Sequence, residues 1–188
     1  MFEATRGVNT QKGLLFILGI LAGAAGYGLS KSEELHAKAI LSHVSAMVSG
    51  IVERELASIR QKPKEALTFG ERLYLDYGIT GIRGEMEQGL PAVALYGLPA
   101  LEDALAKGLA VNDALVHALL VLMTCVEDTT VMHRHHPDKL HHWMRPKVQD
   151  VLNKGSMFTE EGREALQELD KLFIKENVSP GGAADLLA

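Results

Sequence analysis

The run Ala114–Val126 is apolar on nearly every helical face apart from His117 and Thr124, and it ends directly on Glu127 and Asp128. A helix without a polar face is stable only when other helices surround it, so this run calls for a packed multi-helix arrangement with the run at its centre. The two acids that follow are costly to place after so apolar a stretch unless they are paired, metal-bound or at the mouth of a cleft. The same run therefore marks both the core and a candidate site.

The rest of the chain supports an all-α compact multi-helix bundle. From Ser32 to Arg60, Ile40, Val44, Met47, Val48 and Ile51 recur at helical spacing, with Ser30 and Glu33 forming a capping box and Pro63 ending the run. A shorter helix falls within Ala66–Tyr77, and the glycine-punctuated stretch Gly78–Glu85 is a loop or helix entry. Pro99 opens a helix that Gly108 closes, and Asn112 caps the next one. Thr159 caps the last long helix, whose inner face carries Ala165, Leu166, Leu169, Leu172 and Phe173. No sustained alternation of polar and apolar residues calls for a strand.

Leu14–Leu29 (LLFILGILAGAAGYGL) is uncharged, which raises a secretion leader with Arg6 and Lys12 as its basic region and Ala22-Gly23-Ala24 as a cleavage site. The run is short and glycine-interrupted for a membrane span. The favoured reading is a buried helix, with Leu14, Ile17, Leu18 and Leu21 filling a core and Gly19, Ala22, Gly23 and Gly26 admitting a close neighbour. With 188 residues, 47% of them hydrophobic, the chain has enough apolar surface for such a core. A net charge of −5 argues against a general nucleic-acid binder. The single cysteine, Cys125, lies in an apolar run that reads as buried and points to a reducing compartment.

Four polar clusters interrupt the scaffold. Gly7–Gly13 places Lys12 and free backbone N–H groups at a helix start, a phosphate site or an ordinary polar cap. Gly81–Glu85 sets Arg83 beside Glu85; the guanidinium suits phosphate oxygens, the carboxylate suits a base or metal ligand, and a surface turn is the bland alternative. Glu127–Arg134 follows the apolar helix; were the helix to continue, Glu127, Thr130 and Arg134 would share a face. The histidines at 133, 135, 136, 141 and 142 match no usual zinc spacing and read as a solvated turn. Asn177–Asp185 contains a paired-glycine turn able to approach a ligand, with Asp185 in the first turn of the helix that follows.

These elements carry a resemblance. G-V-N-T-Q-K-G, Y-G-I-T-G-I-R-G-E-x-E-x-G-L-P, E-D-T-T-x-x-H-R and N-V-S-P-G-G-A-A-D-L-L-A stand in the order expected of the CitG-type triphosphoribosyl-dephospho-CoA synthases. Gln11 stands where that family commonly has His, Thr130 where it has Asn, Ala183 where it has Ser, and His135-His136 where it tends to have Gly-Gly. The resemblance implies an all-helical cytoplasmic enzyme that joins ATP to 3′-dephospho-CoA with release of adenine, using Mg²⁺. Its product would be the precursor of the prosthetic group of the acyl carrier subunit of citrate lyase or malonate decarboxylase.

The same resemblance implies roles for single residues: Glu85 and Asp128 catalytic; Asn9, Thr10, Lys12, Arg83, Arg134, Ser179, Gly181 and Gly182 on substrate and phosphates; Glu127 and Asp128 on the metal. Residues 1–188 are then a single helical catalytic domain, the larger C-terminal part of a longer family domain. An exposed apolar face on Leu14–Leu29, a homo-oligomer or a complementary N-terminal chain is the corollary. No nucleic acid or membrane is expected as partner. The rival readings are a membrane-associated or secreted helical binding protein and another ATP-dependent phosphotransferase or hydrolase.

Overall fold

The structure, a computed structural model, describes residues 12–32, 34–56, 59 and 62–188. The described residues form helices and turns with no strand, the all-α class expected. They divide into two compact units, one through Pro91 and one over Ala92–Leu187. Arg6, proposed for a leader, and Glu33, proposed for a capping box, lie outside the described residues.

In the first unit, α1 (Lys12–Ser30) packs along α2 (Ala37–Val48), and α5 (Gly81–Glu87) packs on α2 and on α3 (Ile51–Leu56). The burial of α1 differs from expectation. Only Ile17, Ala24 and Gly28 are buried, Leu18 is 45% exposed, and of the glycines in the expected small-residue stripe Gly23 approaches α2, at Met47 Cε, while Gly19 and Gly26 do not. The helix expected from Ser32 is also divided. Ser30 Oγ donates to the Tyr27 carbonyl and so closes α1, whereas α2 opens at Ala37 with His36 Nδ1 accepting from the Ala39 N–H.

Gly50, at φ +74°, then ends α2 in a conformation that a side chain would disfavour. The carboxylate of Glu87, reaching from α5, accepts from the Gly50 and Val52 N–H groups and satisfies donors that the start of α3 leaves without helical partners. Further along, Thr68 and Glu71 form a reciprocal capping box at α4 (Phe69–Tyr77). A hydrogen bond from Lys62, with help from the Thr68 N–H, holds the Glu71 carboxyl down to about 2.

The second unit is built around α7 (Val111–Cys125), as its all-round apolar sequence requires. It packs against α6 (Leu98–Ala106), α9 (Arg145–Asn153), α11 (Gly181–Leu187), a π-helical turn at Val93–Gly97 and a short turn at Ser156–Phe158. A Cβ on Gly97 would sit 2.9 Å from a Leu122 methyl, so glycine is what lets the π-helical turn approach α7. Ala110, not Asn112, precedes α7, and Asn112 falls within its first turn. The helix stops at Cys125; α8 (Thr129–Arg134) is a separate short element, so the shared face expected for Glu127, Thr130 and Arg134 does not form.

Thr159 caps α10 (Glu160–Lys175) as expected, accepting from Gly162 N–H at 3.0 Å. Gly162 has no space for a side chain, because a Cβ would lie 2.1 Å from the Ser156 carbonyl oxygen. On the facing side of that turn, His117 Nδ1 lies 2.9 Å from Ser156 Oγ and its ring stands edge-on to Phe158. Burial holds the His117 imidazole below its ordinary value; nearby Asp103 opposes the shift and Lys107 reinforces it.

Two outcomes follow for stability. Gly162→Ala should destabilise the protein by about 2 kcal/mol or more through overpacking against backbone. Gly19→Ala, in open space within α1, should instead stabilise by roughly 0.5–1 kcal/mol; thermal unfolding of the two variants gives the signs. Neutral His117 contributes stability that is complete above about pH 6.5 and is lost as pH falls through its depressed value, because the unfolded chain binds the proton first. Melting temperatures should therefore fall more steeply below about pH 6.5 in the native chain than in His117→Gln.

Candidate functional site

The polar motifs fall on both units, and each unit is built differently around them. Asn9 and Thr10 lie outside the described residues. Lys12 is the first residue of α1 and is exposed. Arg83 and Glu85 stand on α5, both half-buried. Arg83 Nε donates to the Glu55 carboxylate, an ion pair with both side chains more than a third exposed and so weakly held. Gly84, between them, packs directly on Thr80: a Cβ there would fall 1.9 Å from Thr80 Oγ1. The glycine of the I-R-G-E motif thus serves close packing against Thr80.

In the second unit the E-D-T-T and P-G-G motifs meet on one side chain. Asp128 is 1% exposed. Its Oδ1 accepts from the N–H groups of Thr130 (2.9 Å) and Val131 (3.1 Å), making it the N-cap of α8. Its Oδ2 accepts from the Ala183 N–H at 3.0 Å, tying α11 to the same carboxylate. A Cβ on Gly182 would lie 3.0 Å from Asp128 Cγ, and one on Gly181 3.0 Å from Thr130 Cγ2. The paired glycines therefore let the turn close onto the carboxylate and its neighbour. Ser179 is half-buried and turns its carbonyl to the Gly181 N–H. Asp185 falls beyond the first turn of α11, where it was expected.

The adjacent Glu127 points to other partners. It is 43% exposed and pairs with Arg145 Nη2 at 2.9 Å and His141 Nε2 at 3.4 Å. Arg145 Nη2 also donates to the carbonyls of Cys125 (3.2 Å) and Val126 (3.0 Å), and Nη1 to His141 Nδ1 (2.8 Å). An arginine only donates, so His141 Nδ1 is the acceptor and its Nε2–H faces Glu127. Arg145 thus grips the end of α7 and the outward acid while Asp128 anchors the inward one. Sequence reasoning passed over Arg145, whose R-P dipeptide signals a helix start; only its reach back to residues 125–127 gives it this role.

The remaining histidines disperse. His135 Nε2 is 3.0 Å from the Asn177 carbonyl, and His136 Nδ1 is 3.1 Å from Asp138. Among the described residues no group of three His, Cys, Asp or Glu side chains is gathered to hold a metal. Glu127 and Asp128 diverge, so of the pair only Glu127 presents an exposed carboxylate. Arg134 ends α8 and is exposed.

Comparison with known proteins agrees with these motifs. The family model described as CitG, ATP:dephospho-CoA triphosphoribosyl transferase, matches residues 1–188. A protein of Malonomonas rubra named probable 2-(5''-triphosphoribosyl)-3'-dephosphocoenzyme-A synthase is 44% identical over 188 residues, all of this chain and 59% of its own length. A Pectobacterium atrosepticum protein named 2-(5''-triphosphoribosyl)-3'-dephosphocoenzyme-A synthase is 40% identical over 191 residues, again 59% of its length. One from Lactiplantibacillus plantarum, named as probable, is 37% identical over 187 residues and 64% of its length. The chain spans about three-fifths of the length of the curated relatives it matches. No solved structure matches it.

The geometry predicts different outcomes for the two ways of altering Asp128. Asp128→Ala strands three N–H groups, two of them buried, and should cost about 3 kcal/mol or more. Asp128→Asn keeps an acceptor for the α8 cap and turns an amide donor on the Ala183 N–H, so its loss should be smaller. Chemical denaturation ranks the two, and amide exchange at Ala183 should accelerate in both.

Proposed function

We propose, since the chain belongs to the CitG family of ATP:dephospho-CoA triphosphoribosyl transferases, that its residues serve the transfer of a triphosphoribosyl group from ATP to 3′-dephospho-CoA with release of adenine. The observation that carries this reading is the junction at Asp128, where two of the four ordered motifs meet on one buried carboxylate. That arrangement joins the start of α8 and the start of α11 through one side chain.

In the reaction, the bond between C1′ of the ATP ribose and adenine breaks while a bond forms from C1′ to the ribose 2′-oxygen of dephospho-CoA. The hydroxyl proton passes to a base, adenine leaves with a proton, and the triphosphate stays intact. The ribose carries cationic, oxocarbenium-like charge at the transition state, so a nearby carboxylate both stabilises it and accepts the proton. Glu85 is our choice for that group. Lys12, Arg83 and Arg134 are each assigned to phosphate oxygens, and the weak surface pair with Glu55 lets Arg83 exchange partners.

Asp128 acts here through the segments it holds, a positioning role, with Gly181 and Gly182 allowing the turn to close and Ser179 and the region of Asn9 and Thr10 assigned to substrate. Mg²⁺ enters with ATP as part of the substrate. Glu127, the outward carboxylate, is the residue that would face it, and no step here is routed through the ion. The product would feed the prosthetic group of an acyl carrier protein of the citrate lyase or malonate decarboxylase kind, in the cytoplasm.

The test is a product assay with the complete protein, ATP, Mg²⁺ and dephospho-CoA. Free adenine should accumulate without ADP; ADP release instead would make the protein a phosphotransferase or hydrolase. Glu85→Gln should lower turnover at least a hundredfold while ATP binding changes little. Near-normal turnover would remove Glu85 from the chemistry.

A further inference from the structure

The face of α1 turned away from α2 is apolar in composition, and among the described residues of the first unit no element covers it. Along Lys12–Ser30 the mean hydropathy reaches 1.8, yet only 17% of that window is buried. Leu15 and Leu29 are each 61% exposed and Leu18 45%, and Gly19, Ala22 and Gly26 are exposed between them. Among the described residues, no atom beyond α1's own neighbouring backbone lies within 4 Å of where a Cβ on Gly19 or Gly26 would sit. The result is a stripe of leucines at the ends with small residues at the middle, a profile that accepts a closely packed helix. A soluble protein rarely leaves so continuous an apolar strip uncovered.

We propose that this face is the docking surface for the part of the family's fold that this chain does not span, an amphipathic helical segment carried on the same or another polypeptide. Two observations select that occupant. Relatives matched over all 188 residues run on for a further two-fifths of their own length, which supplies protein of the required amount. The family match and the span aligned with the Malonomonas rubra relative both include residues 12–30, so α1 lies inside the region that the family covers. A lipid surface is the competing class, since α1 is long and apolar enough to cross a membrane by length and composition. A second copy of this chain is another occupant, and both are outcomes of the test.

The proposal concerns binding and does not rest on the catalytic reading. Single cysteines are placed by Leu15→Cys and Leu29→Cys in a Cys125→Ser background, with Ile174→Cys, 73% exposed in the second unit, as control. Thiol labelling rates are compared between this chain alone and a hybrid in which it replaces its equivalent within the Malonomonas rubra relative. Positions 15 and 29 should label at least tenfold more slowly in the hybrid, with Ile174→Cys unchanged and far-UV circular dichroism showing a folded helical protein in both. Equal labelling in a folded hybrid overturns the proposal. So does protection in the chain alone that rises with its concentration alongside a doubled mass by light scattering, or protection that appears only with phosphatidylcholine vesicles.

Discussion

Burying a carboxylate is among the most expensive things a fold can do, and the second unit is organised around having done it at Asp128. At 1% exposure the group has lost its water and must be given donors instead. Three backbone N–H groups supply them, two from the start of α8 and one from the start of α11. Much of the local chain follows from that demand. The apolar helix must stop at Cys125, a short helix must begin directly after Asp128, and the Asn177–Gly182 turn must come close enough for Ala183 to donate. Glycine at 182 leaves space for the carboxylate, and His135 holds the turn from its other end at the Asn177 carbonyl.

The first unit solves a related problem with Glu87. The start of α3 exposes N–H groups that no turn of its own helix can satisfy, and a side chain from α5 provides the acceptor. In both units an acid is spent on backbone donors that belong to another element. Such acids look, in a list of charged residues near glycines, the same as acids available for chemistry. Their partners tell these acids apart: Asp128 and Glu87 face backbone, and Glu127 faces Arg145 and His141.

Much of the scaffold was legible in the sequence because it depends on local periodicity. The apolar run of α7, the Thr159 cap of α10, the glycine ends at Gly78 and Gly108 and the inner face at Leu169 and Phe173 are set by residues three and four apart. Reading failed where a local signal met a competitor from elsewhere in the chain. Ser30 resembled a helix start, but its hydroxyl closes the preceding helix; the single helix expected from Ser32 breaks at Gly50, where Glu87 caps the restart. The α1 leucines read as core because composition records hydrophobicity and says nothing of what covers it. Arg145 was passed over because its partners lie about twenty residues back along the chain.

The sequence by itself determined the helical class, the central position of α7 and, through four ordered motifs, the family. Those are properties of spacing and residue type, which survive without coordinates because hydrophobic periodicity and turn chemistry act over a few residues. Only the tertiary structure decided which partners Asp128, Glu127 and Glu87 take. A carboxylate's role depends on which donors reach it, and for Asp128 the deciding donor sits on Ala183, far along the chain, at a separation that no local pattern encodes.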